Sequence, residues 1–74
     1  MNALNIYILQ LAKHGYKIKI SYNEELGGFY DITIRKKMHK TRISVQKIKG
    51  VDIGDQLMFE ITRAIARMEA KYSE

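Results

Sequence analysis

The chain has no cysteine and no tryptophan, and only two histidines. Without cysteine, neither a disulfide nor a thiolate metal site can reinforce a chain of 74 residues. A chain of this size buries only roughly 60% of its unfolded surface, so its margin of stability is thin. The core must come from the 46% of residues that are apolar, or partly from a partner. The lack of cysteine also suits a reducing cytoplasm. No apolar run approaches the ~20 residues of a membrane span, so no membrane association is expected. The N-terminus has no basic stretch before its apolar segment and no small-residue cleavage site, so it does not read as a signal peptide. The two histidines, His14 and His39, show neither H-x-x-x-H nor H-E-x-x-H spacing. His14 closes a helix, where it complements the dipole, and His39 reads as a turn residue. Asp52 and Asp55 read as helix caps rather than an acid/base pair. Gly27 and Gly28 lie between two strands, so they make no phosphate cradle at a helix start. These gaps predict a protein without catalytic residues, metal or cofactor.

What the chain does have is patterned. Asn2 is a plausible N-cap, and Leu4, Tyr7, Ile8 and Leu11 follow at helical spacing up to a stop at Gly15, which predicts a helix over about residues 3 to 14. Three alternating stretches come next. Tyr16, Ile18, Ile20 and Tyr22 alternate with Lys17, Lys19, Ser21 and Asn23. Tyr30, Ile32 and Ile34 alternate with Asp31, Thr33 and Arg35. Ile43 and Val45 alternate with Arg42, Ser44 and Gln46. Successive strand side chains point to opposite faces, so each stretch has one apolar and one polar face. The links Glu24–Gly28 and Lys36–Lys40 are too short for parallel crossovers, which makes the sheet an antiparallel meander. Asp52 then reads as the cap of a second helix running to about Tyr72. Its core stripe is Leu57, Met58, Ile61, Ala64, Ile65, Met68 and Tyr72, and its outer side carries Gln56, Phe59, Arg63, Ala66, Arg67 and Ala70. The expected fold is α+β: one domain over residues 1–74, a two-layer α-β-β-β-α sandwich with both helices on one side of the sheet.

Thirteen basic against eight acidic residues give a net charge of +5. A charge of that size suits solubility alone, and it also raises encounter rates with anionic partners. The alternation assigns Lys17, Lys19, Arg35 and Arg42 to the polar sheet face, and Lys37 and Lys40 extend the charge into the second hairpin. These six are the candidate nucleic-acid or acidic-partner contacts. The competing reading is an ordinary solvated strand face that protects sheet edges. The register assigns Tyr16, Tyr22 and Tyr30 to the buried face. Only Phe29 is then left as an exposed sheet aromatic, which disfavours an aromatic base-stacking platform on the sheet. On the helices, Ile6, Leu9 and Phe59 fall off the core stripes, and Arg63 neighbours Phe59. They form a candidate protein-binding surface, with self-association as one outcome.

The order α-β-β-β-α resembles the topology of the double-stranded-RNA-binding domain. That family presents a lysine cluster at the start of its second helix, where this chain has Asp52, Gly54, Asp55 and Gln56. The family's first-helix contacts and Pro-His loop are missing as well, and the chain has no proline. No RNA site carries over. The segments Tyr16-Lys17-Ile18-Lys19-Ile20-Ser21 and Ile32-Thr33-Ile34-Arg35, after an opening helix that starts Met1-Asn2, resemble small phage-encoded anti-CRISPR inhibitors of type II effectors. That resemblance covers the first 45 residues or so. It implies a small protein that inhibits by binding another protein in the host cytoplasm. Those inhibitors are strongly acidic and imitate DNA, whereas this chain is basic, so none of their functional residues transfers. The expectation is a small non-enzymatic binding module, foremost a protein-binding regulator or inhibitor of phage or mobile-element type. The alternative is a sequence-independent binder of nucleic-acid backbone.

Overall fold

The computed structural model describes residues 2–72, apart from the Leu26 side chain. Met1, Ser73 and Glu74, which the one-domain expectation also covers, lie outside the described residues. The element order is α1 (Ala3–Lys13), β1 (Lys17–Asn23), β2 (Phe29–Lys36), β3 (His39–Val45) and α2 (Ile53–Tyr72). The strands form an antiparallel meander in the order β1-β2-β3. The expected α-β-β-β-α architecture is therefore observed.

Local chemistry sets the helix ends. Asn2 Oδ1 accepts from the Asn5 N–H at 2.8 Å, and Asp52 Oδ2 accepts from the Asp55 N–H at 3.1 Å. Each satisfies a donor that a helix start would otherwise leave unpaired. α1 ends on His14, and Gly15 follows at φ 90°, a conformation that costs glycine little. Gly28, also at φ 90°, ends the link between β1 and β2. A Cβ there would press on the end of the exposed Tyr22 side chain, and the positive φ itself favours glycine.

The register puts the apolar residues on one face. Ile18 pairs with Ile34, Ile20 with Ile32, and Tyr22 with Tyr30. On the other side of β2, Ile32 pairs with Ile43 and Tyr30 with Val45. Both helices cover this face. The buried core joins Tyr16, Ile32, Ile34 and Val45 to Leu57, Ile61, Ala64, Ile65 and Met68 of α2, and Leu4, Tyr7 and Leu11 of α1 pack against its side. α2 dominates this layer, because no residue of α1 is fully buried. The helices are tied by a hydrogen bond of 2.6 Å between the Tyr7 and Thr62 hydroxyls. Thr62 spends its own proton on the Met58 carbonyl at 2.8 Å, so Tyr7 is the donor. Among the described residues no helix is long and apolar enough to cross a membrane.

Four expectations are corrected. Tyr72, expected on the core stripe of α2, is 40% exposed, because it lies in the last turn at the rim of the sheet. The link between β2 and β3 is not the five residues Lys36–Lys40. Lys36 pairs with His39 and Arg35 with Lys40, so pairing continues until only Lys37 and Met38 turn the chain. Lys37 takes φ 55° to allow it. Gln56, expected on the outer side of α2, is only 8% exposed. The segment after β3 folds back over the first turn of α2, and Gln56 satisfies that segment's backbone. Tyr22 lies on the apolar side of the sheet as expected, but it is 56% exposed. It sits near the end of an edge strand, stacked at a tilt on Tyr30 with ring centroids 4.9 Å apart, and neither helix covers it.

Candidate functional site

The outer sheet face carries the clearest concentration of chemistry. Directly opposed positions place Lys17, Arg35 and Lys40 in one row across all three strands. The next row is Lys19, Thr33 and Arg42, and the third is Ser21, Asp31 and Ser44. The face is thus graded, cationic at the β2–β3 hairpin end and polar at the other. Like charges directly opposite one another on a sheet are destabilising. Asp31 leaves the row of Lys17, Arg35 and Lys40 uncompensated: its Oδ2 lies 3.8 Å from Arg42 of the next row, and its Oδ1 accepts from Ser44 at 3.1 Å. Among the described residues, no carboxylate oxygen lies within 4.0 Å of the side-chain nitrogens of Lys17, Lys19, Arg35 or Lys40. All four are exposed.

Lys37 joins this group at the turn. With Gly15, Lys17 and Arg35 it lines a groove of about 200 Å³. The structure therefore brings Lys17, Lys19, Arg35, Lys37, Lys40 and Arg42 together on one face and its hairpin edge. Lys36 and His39, the other basic residues of that hairpin, project to the other side. They share the face of Ile34 and Thr41, because period-two alternation runs on through the hairpin.

On the helix side, Lys36 and His39 meet the last turns of α2. Together with Tyr16, Lys37, Met68, Glu69 and Tyr72 they line a cleft of about 360 Å³. The His39 ring is stacked on Tyr72, with centroids 3.9 Å apart and planes 20° from parallel. The Lys36 ammonium lies 4.5 Å above the Tyr16 ring. The Tyr16 hydroxyl donates to Glu69 Oε1 at 2.7 Å. Burial, and then the Glu69 carboxylate, push the Tyr16 hydroxyl from the ordinary 10.0 up to about 12, so it keeps its proton into alkaline pH. Sequence reasoning missed this cleft because His39 was assigned to a loop. Extending the alternation of β3 back by three residues would have placed it on the helix side.

The candidate protein-binding residues are exposed as expected. Ile6 and Leu9 stand on the outer side of α1, at 45% and 52% exposure, and Phe59 on that of α2, at 61%. The Arg63 guanidinium lies 5.6 Å from the Phe59 ring centroid and 3.8 Å from Glu60.

No protein-family model matches this chain, and neither the curated proteins nor the solved structures include one significantly similar to it.

Proposed function

We propose that this protein is a non-enzymatic binding module that holds the phosphate backbone of nucleic acid, without regard to base sequence, on the outer face of its sheet. One observation carries this reading: Lys17, Arg35 and Lys40 stand in a cross-strand row, beside Lys19, without a carboxylate partner among the described residues. Solubility is served as well by cations interspersed with acids, which avoid repulsion. A cationic row gives up stability that a bound polyanion restores, by bringing its own negative charge and releasing its counterions. Backbone binding needs no base-reading helix in a groove, and this fold presents cations from strands instead. Its place of action is the cytoplasm, the host's if a phage encodes it.

The test is a gel-shift titration on random duplex and single-stranded DNA and RNA at two salt concentrations. About four contacts predict a slope of log K against log[salt] near −0.9 per contact on duplex DNA. Arg35→Ala and Lys19→Ala should each flatten the slope by about one contact and weaken all sequences alike. No shift at low salt and micromolar protein would remove the proposal.

A second reading, regulation or inhibition of another protein in the manner of the anti-CRISPR proteins, is favoured by the exposure of Ile6, Leu9 and Phe59 and by the Arg63 guanidinium over the Phe59 ring. Aromatic and arginine side chains dominate binding hot spots. Sedimentation at micromolar concentration tests its simplest form, self-association. The wild type should associate, and Phe59→Glu should be monomeric. A monomeric wild type, with no partner protein lost from a Phe59→Glu pull-down, would remove it.

A further inference from the structure

We infer that the cleft between the β2–β3 hairpin and the end of α2 takes one unstacked nucleobase of the strand whose backbone lies on the basic sheet face. The module then prefers single strands to duplex. This rests on the backbone-binding reading and adds to it a second subsite on the opposite side of the sheet.

The connection between the two subsites is Lys37. It lines both the groove of Lys17 and Arg35 on the outer face and the cleft of Tyr16, His39 and Tyr72 on the helix side. It also holds φ 55° at a turn where glycine or asparagine would be relaxed. A backbone following the cations Lys17, Arg35 and Lys37 around the hairpin arrives at the cleft mouth, where Lys36 adds a further ammonium.

The cleft's interior chemistry differs from that of its rim. Its aromatic wall is the His39–Tyr72 stack, with Tyr72 40% exposed, and Met68 adds an apolar, polarisable surface. His39 covers one face of Tyr72 and the exposed Lys71 ammonium lies 5.4 Å over the ring, so an entering base stacks on Tyr72 by displacing Lys71. Glu69 places a carboxylate in the lining; its Oε1 accepts from Tyr16, and Oε2 remains to accept from a ligand N–H. A carboxylate repels a phosphate but accepts from the ring or exocyclic N–H groups of a base. The arrangement therefore sorts a nucleotide: phosphate at the lysine rim, flat ring inside. Its volume of about 360 Å³ lies at the lower end of the range of small-molecule pockets. A base within a duplex has both faces stacked and its edge paired, so only an unpaired strand can present one.

Fluorescence anisotropy with the full chain tests this on three labelled probes of equal phosphate number: a mixed-sequence single strand, an abasic single strand and a duplex. The single strand should bind more tightly than the abasic strand, by roughly 5- to 150-fold, the range that stacking of one base on an aromatic side chain supplies. Tyr72→Ala should lower single-strand affinity to the abasic level and leave abasic binding unchanged, and Tyr72→Phe should retain the preference. Circular dichroism of Tyr72→Ala checks that its fold is kept. Equal binding of the abasic and normal strands, or a single-strand preference that survives in folded Tyr72→Ala, would overturn the cleft assignment while the backbone reading stands. Failure of all three probes to bind at low salt would overturn both.

Discussion

Gln56 holds Ile48 in place through one hydrogen bond: its side-chain carbonyl accepts the Ile48 N–H at 3.0 Å. The same side chain donates its amide to the Gln46 carbonyl at 2.6 Å. One buried residue thus satisfies two backbone groups of the segment that carries the chain from β3 to α2. Gln56→Leu keeps the volume but leaves both groups without a partner. Both bonds are part-buried and Gln46 and Ile48 are exposed, so water replaces part of what is lost; at about 0.5–1.5 kcal/mol per hydrogen bond, denaturant unfolding should show a loss on the order of 1–3 kcal/mol. A loss near zero would mean that the segment is held by other contacts.

Ile61 and Ile6 should behave as opposites. Ile61 is fully buried between α2 and the sheet, and Ile61→Ala should cost about 2–5 kcal/mol. Ile6 is 45% exposed, and Ile6→Ala should stay within about 0.5 kcal/mol of wild type. Thermal melts of the two variants compare them directly. A large loss for Ile6→Ala would mean that this side of α1 is covered in solution.

The elements were legible because periodicity encodes burial. Ile18, Ile20, Ile32, Ile34, Ile43 and Val45 mark one sheet face at period two, and the stripe through Leu57, Ile61, Ala64, Ile65 and Met68 marks α2. The cationic face was legible for the same reason, since Lys17, Lys19, Arg35 and Arg42 occupy the intervening positions. Gln56 was not legible, because a polar residue becomes buried only when a segment eight to ten residues earlier folds back over it. Tyr22 was not either: its phase is apolar, yet exposure depends on how far the helices reach over the sheet. The His39–Tyr72 stack joins residues 33 positions apart in a geometry that local patterning does not contain.

Lys37 should report on conformation and on charge separately. At φ 55° it occupies a left-handed position that costs a non-glycine residue about 1–2 kcal/mol. Lys37→Gly relieves that cost but adds disorder to the unfolded chain. The net expectation is a gain on the order of 1 kcal/mol in chemical denaturation. The same variant should lose about one contact from the salt slope of nucleic-acid binding. A variant both more stable and weaker in binding would separate the two roles, and unchanged affinity would exclude Lys37 from the contact set.

Tyr16 predicts a decline in stability at high pH. Its folded-state value, about 12, lies above the ordinary 10.0, because burial and the Glu69 carboxylate favour the neutral hydroxyl. The folded state therefore holds this proton more tightly than the unfolded state. The resulting stability is fully present below about pH 10 and is lost as pH rises towards 12. Denaturant midpoints measured across that window should fall more steeply for wild type than for Tyr16→Phe, which has no proton to lose. Identical slopes would mean that Tyr16 titrates as though exposed.

α1 contributes no fully buried side chain, although it supplies the Tyr7 bond to Thr62 and flanks the core. An element held in this way can detach while the sheet and α2 remain assembled. Amide hydrogens of α1 should therefore exchange with solvent through a local opening, at a lower free energy than those of β2 and the middle of α2, which exchange only on global unfolding. The two tiers of protection then cut across the two layers of the fold, with the boundary running between the helices rather than between helices and sheet.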